Sequence, residues 1–169
     1  MSSVKMTPIP DTGDVLSKVR ELLRDSPDMH VTVQHGIIDI TQSGIREDIL
    51  QTKIARLSLN ADEQYSPRNA LDAIVGSKEL LSEEVRTNTR QVVEMGRVGS
   101  PPMRGRYHVP ASLLNSTVDE DLNQVLRAFP GIIVYGDCTR PNGNNLIDVE
   151  YFTRRNQTPT QILRGLSDK

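Results

Sequence analysis

The feature that most constrains the fold is the start of a helix at Thr117. Thr117-Val118-Asp119-Glu120 matches a capping box, in which the threonine hydroxyl accepts a hydrogen bond from the Glu120 amide and the glutamate accepts one from the Thr117 amide. Apolar residues then recur at helical spacing up to Pro130-Gly131, a pair that ends a helix. They are Leu122, Val125, Leu126 and Phe129. We therefore predict an amphipathic helix that carries Phe129 into a core.

Two runs with the character of strands follow this helix. They are Ile132 to Tyr135 and Leu146 to Phe152, and the segment between them contains the turn signal Pro141-Asn142-Gly143. In the second run apolar and acidic residues alternate, as Ile147, Val149 and Tyr151 against Asp148 and Glu150. Such alternation is typical of a strand with one buried and one wet face. The order predicts a C-terminal β-hairpin.

The chain before Thr117 predicts one further strand region and several helices. Residues 30–40 alternate around Gly36, which indicates a strand with a bend or turn. Apolar spacing predicts helices that begin at Asp14, Ser43, Ser66 and Ser82 and include 14–24, 45–57, 67–75 and 82–93. The predicted fold class is α+β, a small mixed sheet with a C-terminal β-hairpin packed against several amphipathic helices.

The predicted organisation is one domain over 14–169, preceded by a polar lead over 1–13. Three glycines and three prolines lie in 96–110, which is therefore predicted to be a long loop. The length of 169 residues is within the range of a single domain. Cys138 is the one cysteine, so no internal disulfide is expected, and no apolar stretch is long enough to cross a membrane. We expect no membrane partner.

Catalytic and cofactor signatures are missing from the sequence. The three histidines lie apart from one another and from Cys138, so no metal site is predicted. No nucleophile elbow or phosphate-binding glycine loop is present, and we expect no catalytic residues and no cofactor. The acidic set Asp137, Asp148 and Glu150 resembles part of the PD-(D/E)xK nuclease motif, although a glutamate stands where that motif ends in lysine. A metal-dependent nuclease is therefore an alternative hypothesis.

Two basic clusters suggest contact surfaces, Arg104-Gly105-Arg106 in the long loop and Arg154-Arg155 after the last strand. Arginine pairs with phosphates, but it is also enriched in protein interfaces. The net charge is -2 and only 4% of the residues are aromatic, which disfavours nucleic acid as the partner. A small nucleic-acid-binding accessory protein is the third hypothesis.

The order of segments resembles the baseplate wedge or sheath-initiator family of contractile phage tails. Ile45-Arg46-Glu47-Asp48-Ile49 is similar to a helix of that family, and 122–152 resembles its closing helix and hairpin. The glycine and arginine of the family's usual turn are absent from 61–67. The resemblance implies a non-enzymatic structural protein, located in the virion, with other protein subunits as partners in an oligomeric assembly. Without the resemblance, the expected location is the cytoplasm.

An interface follows from this resemblance and from the exposed edge that a final strand offers to another chain. The N-terminal helix would join a bundle, and the hairpin would pair edge to edge with neighbouring subunits. The predicted interface residues are Val15, Val19, Leu22, Arg104, Arg106, Val149, Tyr151, Arg154 and Arg155. 

Overall fold

The computed structural model describes residues 2–6, 15–34, 36–42, 47–87, 89–95, 108–139 and 145–153. The strands in these ranges are β1 (Ser2–Met6), β2 (Met29–Gln34), β3 (Ile37–Gln42), β4 (Lys53–Ser58), β5 (Thr89–Met95), β6 (Ser112–Thr117), β7 (Gly131–Thr139) and β8 (Asn145–Thr153). The helices are α1 (Val15–Leu22), α2 (Glu47–Leu50), α3 (Ala61–Gln64), α4 (Pro67–Val75), α5 (Lys78–Thr87) and α6 (Val118–Ala128).

Six strands form one mixed sheet in the order β2-β3-β1-β7-β8-β5. All neighbours are antiparallel except β5 and β8, which run parallel. β4 and β6 form a second, two-stranded antiparallel sheet. The class is α+β, and β7 with β8 forms the C-terminal hairpin, so both predictions are confirmed.

The large sheet has a hydrophobic core on each of its two faces, and β7 contributes side chains to both. Ile133 and Tyr135 face the larger core, which also contains buried residues of α4, α6 and the small sheet. Ile132 and Val134 alternate with them and face a smaller core that includes Val19 of α1. Because successive strand residues point to opposite faces, one strand serves both cores.

Local signals placed several elements correctly. Thr117 and Glu120 form the capping box, with the Thr117 amide donating to the Glu120 carboxylate at 2.8 Å and the Glu120 amide donating to the Thr117 hydroxyl at 3.2 Å. Ser66 caps α4 ahead of Pro67. The strand predicted over 30–40 is two antiparallel strands, β2 and β3, on either side of Gly36, whose φ of 77° is one that glycine adopts readily.

The predicted polar lead over 1–13 is wrong for Ser2–Met6. These residues form β1, which pairs with β3 on one side and with β7 on the other. A strand with two neighbours has its main-chain donors and acceptors paired on both sides. These hydrogen bonds stabilise β1 as a strand although its sequence has little apolar alternation. The domain therefore includes residues before the predicted boundary at Asp14.

Two predicted helices are strands over part of their length. The helix expected over 45–57 is replaced by the short α2 and by β4, and Val92 and Val93 lie in β5 rather than in the helix predicted from Ser82. Ile54 is buried in the larger core, where β4 pairs with β6. The apolar residues at these positions fit both the helical and the strand periodicity. Pairing with a distant strand therefore decides which of the two structures forms.

Residues 96–107 of the predicted long loop lie outside the described residues. Its end is anchored, because Val109 is buried in the larger core and its amide donates to the Gln64 carbonyl at 3.0 Å. Among the residues that the structure describes, no helix combines the length and apolar character of a membrane crossing.

Candidate functional site

The α1 residues of the predicted interface divide into two kinds. Val19 is buried in the smaller core, against Ile38, Ile40 and other residues of the sheet. The prediction that Val19 contacts a partner is therefore wrong, since α1 uses this position to cover its own domain. Leu22 is half exposed and remains accessible. The side chain of Val15 lies outside what the structure describes.

The last strand does not offer an open edge. β8 pairs with β7 on one side and with β5 on the other, so the predicted pairing of the hairpin edge with another chain is wrong for this strand. Val149 and Tyr151 are buried in the larger core and are not interface residues. The Tyr151 hydroxyl donates to the Phe129 carbonyl at 3.2 Å, and burial raises the pKa of Tyr151 to about 12. Sequence reasoning missed that β5 covers this edge, because β5 had been assigned to a helix.

The acidic set of the nuclease hypothesis is not brought together. Position 148 pairs with Gly136 and position 137 pairs with Ile147 in the β7–β8 register. Paired positions share a face and neighbouring positions alternate, so the positions of Asp137 and Asp148 belong to opposite faces of the sheet. In the described ranges, no three His, Cys, Asp or Glu side chains group as metal ligands. Arg104, Arg106, Arg154 and Arg155 lie outside those ranges.

The six-stranded sheet has two outer strands, β5 and β2. β5 carries the charged residues Arg90 and Glu94. β2 is the other outer strand. It pairs with β3 on one side, and no described strand pairs with its other side. Its sequence, Met29-His30-Val31-Thr32-Val33-Gln34, contains no proline and no aspartate, glutamate, lysine or arginine. Val33 is 49% exposed. This strand therefore presents an edge of the kind that another strand can extend.

A buried ion pair network joins β1, β3 and α6. The Lys5 ammonium lies 2.6 Å from Asp39 Oδ2 and 2.6 Å from Asp119 Oδ1, and the Lys5 side chain is only 2% exposed. Both carboxylates are partly exposed. Sequence reasoning missed this cation, because residues 1–13 were predicted to be a polar lead.

A pocket of about 570 Å³ lies along α6 and β6. Its lining includes Asp121, Asn123 and Ser116. Asp121 is fully buried, and neither of its carboxyl oxygens has a hydrogen-bond partner among the described residues. The Ser116 hydroxyl and the Asn123 carbonyl oxygen are likewise buried without a partner in that part of the chain. Buried polar groups without a hydrogen-bond partner are rare in folded proteins.

Burial raises the pKa of Asp121 to about 6. The negative charge of Glu120 also raises the pKa, by a smaller amount. The nearby Ser116 hydroxyl partly lowers the pKa, but it does not reach hydrogen-bond geometry to either carboxyl oxygen of Asp121. Loss of water around the ionised form is thus the main cause. The raised pKa of Asp121 results from burial by residues that are distant in the chain, so no sequence pattern indicates it.

We expect Asp121→Asn to change how stability depends on pH. The carboxyl titrates near its ordinary pKa of 3.8 when unfolded and near 6 when folded, so the parent loses stability as pH rises through this window. The variant lacks this loss and should gain on the order of 2 kcal/mol relative to the parent between about pH 4 and about pH 7. Urea unfolding of both proteins at the two pH values measures the gain. Parallel pH profiles would contradict it.

Comparisons of the chain with protein-family models, with curated proteins and with solved structures found no match.

Proposed function

We propose that this protein is a structural subunit of a multiprotein assembly and that it joins its neighbours through the outer edge of β2. The observation that carries this proposal is an uncharged outer strand, without proline, at the end of a six-stranded sheet. Proteins usually protect such edges with charged residues, prolines, bulges or a covering segment. Within the described residues β2 has no charged side chain on the strand and no strand beyond it.

The chemistry of the edge fits β-strand addition by another chain. Main-chain hydrogen bonds supply affinity in this mode, and alternate side chains contribute specificity. Val33 provides exposed apolar surface on the same strand, and Leu22 of α1 is a second exposed apolar residue. This mechanism retains the strand-edge pairing expected from the sequence, but it moves the edge from β8 to β2.

The resemblance to the baseplate wedge or sheath-initiator family specifies the assembly. In that form of the proposal the partners are other subunits of a contractile phage tail, the chain is oligomeric within the particle, and its location is the virion. In another kind of assembly its location would be the cytoplasm. The role needs no catalytic residue and no cofactor.

The two alternative functions have less support. The nuclease hypothesis requires Asp137 and Asp148 on one face, and the register separates their positions. The nucleic-acid hypothesis depends on the four arginines, which lie outside the described ranges. An assembly subunit is therefore the function that the described geometry favours.

A single charge on β2 tests the proposal. Val33→Lys places a solvated cation on the exposed edge, and we expect at least a fivefold fall in the fraction of protein that co-sediments with large particles from the native source. The fold should persist, because this side chain is already half exposed. Sedimentation of a tagged chain produced in that source provides the measurement.

Leu81→Lys is the matched control, because Leu81 is 47% exposed but lies on α5. This variant should co-sediment like the parent. Normal incorporation of Val33→Lys would show that the β2 edge is not the contact. A parent protein that remains in small species throughout would refute the assembly itself.

A further inference from the structure

The outer side of β6 is another open strand edge. β6 pairs with β4 on one side, and no strand of the described ranges pairs with its other side. Across this pair, the Leu59 amide donates to the Ala111 carbonyl at 2.9 Å. Successive strand residues direct their main-chain groups to opposite sides, so those of Ser112 and Leu114 point away from β4. β6 therefore presents main-chain donors and acceptors at its outer edge.

This edge is short and partly exposed. Pro110 precedes it and lacks an amide hydrogen, and Asn115 follows Leu114 with a φ of 49°, far from the values of a strand. Leu114 is 59% exposed, whereas Leu113 is buried in the larger core. The side chain of Leu114 is thus on the solvent face of β6 and that of Leu113 on the core face. An edge of this length accommodates a strand of about five residues.

The helix α6 forms a wall beside this edge. Its buried residues Leu122 and Val125 share the larger core with Leu113, so α6 covers the core face of β6. The pocket of about 570 Å³ is lined by 112–116 of β6 and by α6 side chains from Asp119 to Arg127. α6 therefore runs alongside β6, and we call the space between them the β6–α6 groove. Extended peptides bind at open sheet edges by adding a strand, with pockets for alternate side chains.

The two ends of the groove differ in charge. Glu120 is exposed and lies at the C-terminal end of β6, where it accepts from the Thr117 amide at 2.8 Å. Arg127 is also exposed and lies two turns later on α6, about 10 Å further along the helix axis. Asp119 is paired with Lys5. The groove therefore has an anionic end at Glu120 and a cationic end at Arg127.

These charges specify the direction of a bound strand. Antiparallel pairing is slightly more stable than parallel pairing, and in it the N-terminal end of the partner meets the C-terminal end of β6. A cation at the N-terminal end of the partner then faces Glu120, and an anion four residues later faces Arg127. Four residues of a strand span about 13 Å, and flexible side chains cover the difference from about 10 Å. Residues paired across two strands share a face, so apolar side chains at the partner's second and fourth positions lie beside Leu114.

We propose that the β6–α6 groove binds an extended segment of another protein, antiparallel to β6, with the pattern cation, apolar, polar, apolar, anion. Its second and fourth residues pair with Leu114 and Ser112 through main-chain hydrogen bonds, and its apolar side chains share the solvent face with Leu114. Its charged residues lie on the core face, towards Glu120 and Arg127. The inference does not depend on the proposed function, since it concerns a different edge from that of β2.

Titration of the full chain with the acetylated, amidated pentapeptide Lys-Val-Thr-Val-Glu tests the groove. We expect weak, saturable binding with a Kd on the order of 1 mM, and ¹H–¹⁵N NMR shifts at the amides of Ser112 and Leu114. The reversed peptide Glu-Val-Thr-Val-Lys has the same composition with its charges exchanged, and it should bind at least threefold more weakly.

N-methylated peptides test the main-chain pairing without changing the protein. The amide of the second valine points towards β6, whereas that of the threonine points away from it. Methylation of the valine nitrogen should weaken binding at least fivefold, because it removes a donor to the Ser112 carbonyl. Methylation of the threonine nitrogen is the matched control and should change the Kd by less than about twofold.

Arg127→Glu tests the charge at the cationic end. It should weaken binding of Lys-Val-Thr-Val-Glu at least threefold, because two anions then face each other. Arg20→Glu is the matched control: Arg20 is likewise exposed and in the last turn of a helix, but on α1. This control should bind like the parent.

Each of several results would overturn the inference. They are the absence of a saturable shift, equal binding of the two pentapeptides, and equal effects of the two N-methylations. Shifts confined to β2 would also refute it, by assigning strand addition to that edge alone. A free chain that dimerises, so that the peptide shifts Ser112 and Leu114 only after dilution separates the copies, would refute it in favour of a second copy of the chain in the groove.

Discussion

Replacing Lys5 with methionine is expected to lower the free energy of unfolding by about 3 kcal/mol. The substitution keeps much of the apolar stem but removes the ammonium group that lies 2.6 Å from both Asp39 and Asp119. Removal of one partner from a buried ion pair typically costs about 3 to 5 kcal/mol, because the remaining charge is left uncompensated. We expect the lower end of that range, since both carboxylates are partly exposed and can regain water.

Lys53→Met is the matched control for this prediction. Lys53 also lies on a strand, but its side chain is exposed, so its replacement should change the free energy of unfolding by less than about 0.5 kcal/mol. Urea unfolding of the three proteins provides the comparison. Equal stability of the two variants would mean that β1 is not held in the sheet by this network. A double-mutant cycle with Asp119→Asn then measures the coupling between Lys5 and Asp119.

Phe129→Ala is expected to cost about 3 to 5 kcal/mol, the range for truncation of a buried aromatic ring. Phe129 caps the C-terminal end of α6, its side chain is buried in the larger core, and its carbonyl accepts from the Tyr151 hydroxyl. The substitution leaves that carbonyl in place, so the loss arises from apolar burial and the cavity that remains. The change should therefore be among the most destabilising single substitutions in α6 and its two caps.

Thr117→Ala, at the other end of α6, provides a smaller loss of stability with which Phe129→Ala is compared. It removes the hydroxyl that accepts from the Glu120 amide, together with the γ-methyl group, and we expect a loss of about 1 kcal/mol. Thr117→Ser keeps the acceptor and should retain most of the stability. Guanidinium or urea unfolding of all three variants measures the order. A larger loss for Thr117→Ala than for Phe129→Ala would show that the apolar face of α6 contributes less than its cap.

The accuracy of sequence reasoning varied with how local each signal was. The Thr117 capping box, the cap at Ser66, the turn at Gly36 and the C-terminal hairpin were all predicted, because each depends on residues near one another in the chain. β4 and β5 were mistaken for parts of helices, since short apolar runs there fit two periodicities. Their strand pairing depends on β6 and β8, which follow much later in the chain.

The candidate sites show the same division. The sequence predicted an exposed strand edge but assigned it to β8, and β5 occupies that position in the sheet. The uncharged sequence of β2 was readable, but only the strand order identifies it as an outer strand. Asp121 was visible as an acidic residue in the first turns of a helix, whereas its raised pKa required knowledge of its burial.

The sequence by itself therefore determined the α+β class, the caps at Ser66 and Thr117, the turn at Gly36 and the amphipathic phase of α6, because hydrogen bonds and side-chain periodicity within a few residues are sufficient for them. It misplaced the start of α5 at Ser82, which lies inside that helix, and it missed the capping box at Asn60. Only the tertiary structure decided which strand edges are open among the described strands, that Lys5 is buried between two carboxylates, and that Asp121 is buried. Those properties depend on solvent exclusion and pairing between segments far apart in the chain, as for Lys5 and Asp39, which are separated by 34 positions. Local sequence patterns do not indicate which distant residues come into contact.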